Sequence, residues 1–320
     1  MTDITAHRHL IKFYLFLFFR LLFFGVLATI AFTLHNQATS KIGEYILILM
    51  GLGLIFLSVI SIVVFFKNTP AVKLNLESIT FNHSEKLYWT DLEKIDLTGK
   101  KSFSFMDFDR REAVTLKFKG EREKYIFDDM YSNSSQIKVF IQQVVVDKSA
   151  VEAIKLQPVP SVIHETFIKY NGYQLLSFTG IMMWFLLTPA IFLFIKAALI
   201  FNIDQMIGFV AFGIIWFFFW GFKMYYFELS DNYFEMRLHN IPWFKKVYRL
   251  SDIKEIVFEQ PYKRPTSLRI ITNDFENTLY PASTLRNKRW MELKADLEKK
   301  NIKVRNEGVS YEPFEFKLYN

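Results

Sequence analysis

Four stretches of the chain, residues 13–34, 45–66, 174–200 and 207–227, are apolar almost without interruption and hold only three charged side chains between them, Arg20, Lys196 and Lys223. A helix rises ~1.5 Å per residue, so about 20 residues are needed to cross a hydrocarbon core ~30 Å thick. Backbone amides find no water inside a bilayer and must bond to one another, which a helix achieves within a single segment. The runs therefore predict four transmembrane helices in two hairpins, 13–66 and 174–227. The first run is longer than a signal-peptide core, lacks a small-residue cleavage site and is soon followed by the second, so it reads as an anchor.

Lysine and arginine then orient the hairpins. Arg8 and Lys12 precede the first run, Lys67 and Lys73 follow the second, Lys169 precedes the third and Lys223 ends the fourth, whereas the short connections 35–44 and 201–206 hold only Lys41. The positive-inside rule puts both termini and both long polar regions in the cytoplasm of a multi-pass protein of the cytoplasmic (inner) membrane. Lys196 is an exception that snorkelling accommodates. The chain has no cysteine, which rules out disulfides and thiolate metal sites and suits cytoplasmic modules.

Arg20 interrupts FYLFLFFRLLFFG, residues 13–25, nine residues past Ile11. In a helix that is ~13 Å of depth, where a cation is costly. The four runs contain no Asp or Glu, leaving Ser58, Ser61, Ser177, Thr179, Thr188, carbonyls near Gly25 or Gly180, or a lipid phosphate as partners. Two readings stay open: Arg20 lines a polar cavity between helices and holds an anion, or the first helix starts lower and Arg20 reaches the inner interface.

The two halves of the chain match. Asp91 in TDLEKI follows Phe66 by 25 residues, and Asp252 in SDIKEI follows Phe227 by 25. Thr115-Leu116-Lys117-Phe118 answers Ser267-Leu268-Arg269-Ile270, and Ile126-Phe127 answers Leu279-Tyr280. The offset of 161 residues between Asp91 and Asp252 falls to 153 between Ile137 and Trp290, so some eight extra residues fall near GKKSFSFMDFDRRE. Short period-two runs such as VTLKFKG and NYFEMRLH, broken by Ser-Asp, His-Asn and Pro, predict six or seven antiparallel strands per half. Ile137, Phe140, Ile141 and Val144, then Trp290, Leu293 and Leu297, give each half a closing amphipathic helix. The expected architecture is an α+β membrane protein, a tandem repeat of hairpin plus bent sheet or partial barrel with a C-terminal helix. Its parts are an N-terminus (1–12), hairpin 13–66, module 67–147, linker 148–173, hairpin 174–227, module 228–305 and tail 306–320. Pro158 and Pro160 mark the linker, Ser161 is a candidate cap for a short helix before the third span, and Tyr311, Phe314, Phe316 and Tyr319 in the tail could add a strand or dock in a groove.

The strand ending in YWTDLEKIDL or YRLSDIKEIVF, the late strand pair and the closing helix resemble the pleckstrin-homology-like fold, and the layout resembles bacterial membrane proteins that carry such domains. The resemblance implies a fold and no particular activity.

No nucleophile elbow, zincin or P-loop motif occurs, so neither a catalytic residue nor a cofactor is expected. His7 and His9 supply two metal ligands without a third and read as a solvated terminus. His164-Glu165 reads as an amphipathic turn, Asp107 to Arg111 as a charged hairpin tip with an anion-binding turn as the alternative, and Thr90-Asp91 and Ser251-Asp252 as turns fixed by short polar side chains. From Gly221 onward 18 Lys or Arg face 14 Asp or Glu, and the excess clusters at Lys245, Lys246 and Arg249, at Lys263 and Arg264, and at Arg286, Lys288 and Arg289. Anionic headgroups attract such clusters by ~1 kcal/mol per nearby cation; the alternative is a basic face that merely obeys membrane orientation. Nucleic acid is not expected, because the aromatic residues among these cations belong to strands. The expected function is a non-enzymatic membrane scaffold or adaptor that binds anionic lipid or a protein partner through its modules. The rival is transport or lipid handling in a four-helix core around Arg20.

Overall fold

The computed structural model describes residues 3–38, 40–104, 110–154, 156–160, 163–241, 243–261 and 264–309. The chain is mixed α+β, with four long apolar helices and several small, mainly antiparallel sheets, and it divides into two units, Met1–Ile154 and Lys155–Asn320.

The first unit opens with β1 (Asp3–Thr5) and a wide helical turn, Leu10–Leu15, that runs into α1 (Phe16–His35); α2 (Lys41–Asn68) returns beside it. Both Leu10–His35 and Lys41–Asn68 are long and apolar enough to cross a membrane. Caps fix their starts. His9 Nδ1 accepts the amides of Ile11 and Lys12 at 3.2 Å each, and Ser40 Oγ accepts that of Gly43 at 3.1 Å. Strands β2 (Val72–Asn75), β3 (Ser78–Phe81) and β4 (Glu85–Tyr88) follow and form an antiparallel sheet ordered β1-β2-β3-β4. In the second sheet, β5 (Leu92–Asp96), β6 (Lys100–Ser102) and β8 (Lys124–Phe127) all pair with β7 (Arg110–Phe118). Helix α3 (Ser134–Ile141) closes the unit, with Ile137, Phe140 and Ile141 wholly buried and Val144 packed in the wider turn that follows.

The N-terminal segment differs from a solvated terminus. Asp3↔Asn75, Ile4↔Leu74 and Thr5↔Lys73 make β1 an edge strand, contributed from before the helical hairpin to the sheet after it. Arg8 donates to Thr69 O through Nε and a terminal nitrogen at 3.0 and 2.9 Å and stacks on Phe13 and Phe66, while Lys12 pairs with Asp129 at 2.9 Å. Of the expected hairpin tip, residues 107–109 lie outside the described residues. Arg111 belongs to β7, with its guanidinium 4.5 Å from the Phe103 ring centroid.

The second unit runs β9 (Ile168–Tyr170), α4 (Phe178–Leu199) and α5 (Ile203–Gly221), the two helices again long and apolar enough to cross a membrane. Ser177 caps α4, accepting the Gly180 amide at 3.0 Å; Ser161 lies outside the described residues. Then come β10 (Tyr225–Leu229), β11 (Tyr233–Leu238) and β12 (Lys245–Arg249), in an antiparallel sheet ordered β12-β11-β10-β9. Strands β13 (Ile253–Glu259), β14 (Ser267–Thr272) and β15 (Asn277–Pro281), helix α6 (Asn287–Lys299) and β16 (Val304–Asn306) complete it, with β16 parallel to β13. Trp290, Leu293 and Leu297 are fully buried, and the Trp290 ring meets Phe227 and Phe258 at 5.6 and 4.9 Å.

Both recurrent Asp turns are single helical turns, Trp89–Asp91 and Leu250–Asp252, tied by main-chain carbonyls: Lys119 N donates to Asp91 O and Asn273 N to Asp252 O. The linker is held as well. Glu165 accepts the Asn232 amide at 3.0 Å and its side-chain Nδ2 at 2.9 Å, which holds the carboxyl below the usual carboxylate range. The tail residues Tyr311, Phe314, Phe316 and Tyr319 lie outside the described residues.

Candidate functional site

Strand register sorts the basic residues of the second unit. Tyr225↔Leu238 and Arg237↔Lys245 bring the start of β10, the end of β11 and the start of β12 to one end of their sheet. The Met224↔Ala282 bridge and the pair Ser267↔Pro281 bring the end of β15 and the start of β14 to that same end. A hydrogen bond of 2.8 Å between the Tyr248 and Tyr280 hydroxyls joins β12 to β15, and burial pushes the Tyr280 phenol up. The apolar helices attach here, because α5 feeds β10 and Met183, Leu187 and Met224 cluster with Trp216, Phe217 and Trp220.

Lys245 and Lys246 are exposed at the start of β12, and Arg264 is exposed three residues before β14. Arg286 precedes α6, and Lys288 and Arg289 are exposed in its first turn, where Arg289 pairs with Glu292 at 2.7 Å. Lys246 Nζ stands 5.0 Å from the Tyr248 ring centroid. Arg249 is set apart, at the other end of β12 opposite Tyr233, where it donates to Gln157 Oε1 at 3.1 Å and Pro158 O at 2.8 Å and so clamps the linker. Lys263 lies outside the described residues.

A buried imidazole lies behind this end. His239 Nε2 and Thr284 Oγ1 share a hydrogen bond of 3.1 Å, the imidazole faces Tyr226 at 4.7 Å, and burial followed by the Lys169 charge pushes its pKa down to about 4. Gly172 is required beside it, since a Cβ there would lie 1.7 Å from Thr284 O.

Arg20 occupies a different setting, within the first unit. It is half-buried with its guanidinium 5.7 Å from the centroid of Phe65, a fully buried ring near the C-terminal end of α2. Phe65 also meets Phe13 at 5.8 Å, Phe16 at 6.2 Å and Phe103 at 5.1 Å, and it shares the core of the β-sheets with Leu17, Leu74 and Phe127. The first turns of the Leu10–His35 helix are thus packed on the sheets, and Arg20 follows the last of them. Ser58 and Ser61, both candidate partners, donate to the carbonyls of their own helix at Leu54 and Leu57.

The sequence reading passed over Trp243 and Phe244, exposed immediately before Lys245. Two aromatic side chains abutting two lysines were the available signal. No family model matches the chain, and no curated protein matches it.

Proposed function

We propose that this chain is a four-span membrane protein with two PH-like modules on the cytoplasmic side, in tandem repeat, and that it acts as a non-enzymatic scaffold binding anionic lipid headgroups at the helix-proximal end of its second module. The repeat reading draws support from element order. Each unit has a three-residue strand, two long helices, three strands that extend its sheet, a single helical turn ending in Asp, a second sheet and a closing helix. The membrane reading draws support from side chains turned outward along the helices, among them Leu49 at 72%, Phe192 at 68% and Ile215 at 70% exposure. Such surfaces are costly in water and neutral in lipid.

The observation that carries the lipid reading is the gathering of Lys245, Lys246, Arg264 and Arg286 at the end of the β-structure from which α4 and α5 leave. If those helices cross a bilayer, these cations face its headgroups, each contributing ~1 kcal/mol toward an anionic leaflet. The transport reading loses ground because Arg20 lies against the ring of a residue in the sheet core. From Glu44 to Phe65, α2 spans 21 residue steps, or ~32 Å, about one hydrocarbon thickness, so Arg20 beside Phe65 fits the inner boundary.

Lipids retained by the full-length protein in mild detergent, identified by mass spectrometry, test the proposal. It predicts enrichment of anionic over zwitterionic lipid, lost in Lys245→Gln/Lys246→Gln/Arg286→Gln and kept in Arg249→Gln. A stoichiometric protein with no selected lipid would make the modules adaptors instead.

A further inference from the structure

The connection between β11 and β12 carries an unusual surface. Trp243 is 82% exposed and Phe244 42% exposed, and the exposed Lys245 and Lys246 follow directly. Large aromatic surface beside paired cations fits a partner that is apolar at one depth and anionic at the next, as the edge of a bilayer is. The loop is held against the helix ends. Asn240 Nδ2 reaches Met183 Sδ at 3.4 Å, five residues into α4, and stands 3.3 Å from where a Cβ on Gly221 would be. His239 N donates to Met224 O at 3.2 Å, Ile241 is buried in the core, and the Phe244 ring meets Phe222 and Tyr225 at 6.4 Å each.

Helix length fixes the depth. α5 has 19 residues, ~28 Å, barely one hydrocarbon thickness, so if it spans, its last residue, Gly221, lies at the boundary, and so does the loop that touches it. We propose that residues 243–246 form an interfacial anchor, with Trp243 and Phe244 at the headgroup–acyl boundary of the leaflet nearest the second module and Lys245 and Lys246 against its anionic headgroups. The inference rests on the reading that α4 and α5 cross a membrane. In the first unit the turn between β3 and β4 is only Asn82-His83-Ser84 and offers no such aromatic group, so of these two equivalent turns only that of the second unit carries the anchor.

Because the chain has no cysteine, one introduced cysteine takes one label. The full-length protein with Phe244→Cys carries a bimane label in vesicles of phosphatidylcholine and phosphatidylglycerol containing lipids with a nitroxide at the headgroup or mid-chain. Ile215→Cys, exposed midway along α5, serves as bilayer reference, and Asp231→Cys, in the turn between β10 and β11 at the far end of the sheet, as solvent reference. Headgroup nitroxide should quench the label at 244 and spare that at 231, and adding Trp243→Ser should abolish the effect. Lys245→Gln and Lys246→Gln should each lower the bound-to-free ratio of the loop about fivefold, in anionic vesicles only. A label at 244 as unquenched as that at 231, with Ile215→Cys quenched by mid-chain nitroxide, overturns the anchor and leaves the membrane reading standing. An unquenched label at Ile215→Cys overturns both.

Discussion

Arg20, Lys138 and His239 each carry a charge or a polar ring into apolar surroundings, and packing decides what each does there. The Arg20 guanidinium lies over Phe65, an interaction of about 0.5–2 kcal/mol. Arg20→Leu should lower thermal stability and leave lipid retention unchanged; loss of a retained lipid with this substitution alone would move the site into the bilayer. Lys138 and Asp128 form a buried pair at 2.6 Å. Lys138→Met removes the paired cation from a buried carboxylate and should cost roughly 3–5 kcal/mol, whereas the double replacement Lys138→Met/Asp128→Leu should recover part of it in thermal unfolding. His239 is held neutral, its pKa lowered to about 4 by burial and then by Lys169. An unfolded chain protonates this ring near its ordinary value of about 6.5, so between roughly pH 6.5 and 4 the unfolded state binds more protons and stability falls as pH falls. His239→Gln should flatten that window in a pH series of melting curves.

At the scale of elements, the units are held by strands that lie far from their partners in sequence. β1 pairs with β2 across the whole helical hairpin, and β9 pairs with β10 in the same way. Residues 67–147 alone lack that edge strand, Arg8 and the core side chains Phe13, Leu17 and Phe65, and they should give poorly dispersed NMR spectra even with residues 3–8 fused to them by a flexible linker; native-like dispersion in either piece would contradict this. The helical hairpin has its own constraint: a Cβ at Gly51 would lie 2.7 Å from the Phe32 ring, so Gly51→Leu should separate α1 from α2 and lower the melting temperature. The long apolar runs and the closing helices were legible because their periodicity is sustained over many residues. β1 and β9 were not, because three residues carry no period and their partners are remote. His9 as a cap was hidden by the same cause, since a terminus with no visible strand reads as frayed. Arg20 stayed open between two readings for a related reason: hydropathy alone cannot tell that Phe13 and Leu17 are buried against sheets.

For the whole molecule, the cations were legible as a composition bias, but their sorting was not. Lys245 and Arg249 lie four residues apart in sequence, yet one stands where the helices leave the sheet and the other clamps the linker at the opposite end, and only strand register separates them. The central claim is that all four apolar helices cross one membrane and leave both β-modules on the same side. It is tested most directly by a membrane-impermeant maleimide applied to sealed cells and to inverted vesicles bearing single cysteines at Gln37, Phe201, Glu121 or Asp231. The account predicts that Gln37→Cys and Phe201→Cys, in the two hairpin connections, label in cells, and that Glu121→Cys and Asp231→Cys label only in inverted vesicles. Labelling of Glu121→Cys and Asp231→Cys from opposite faces, or of all four positions from one face, would contradict it.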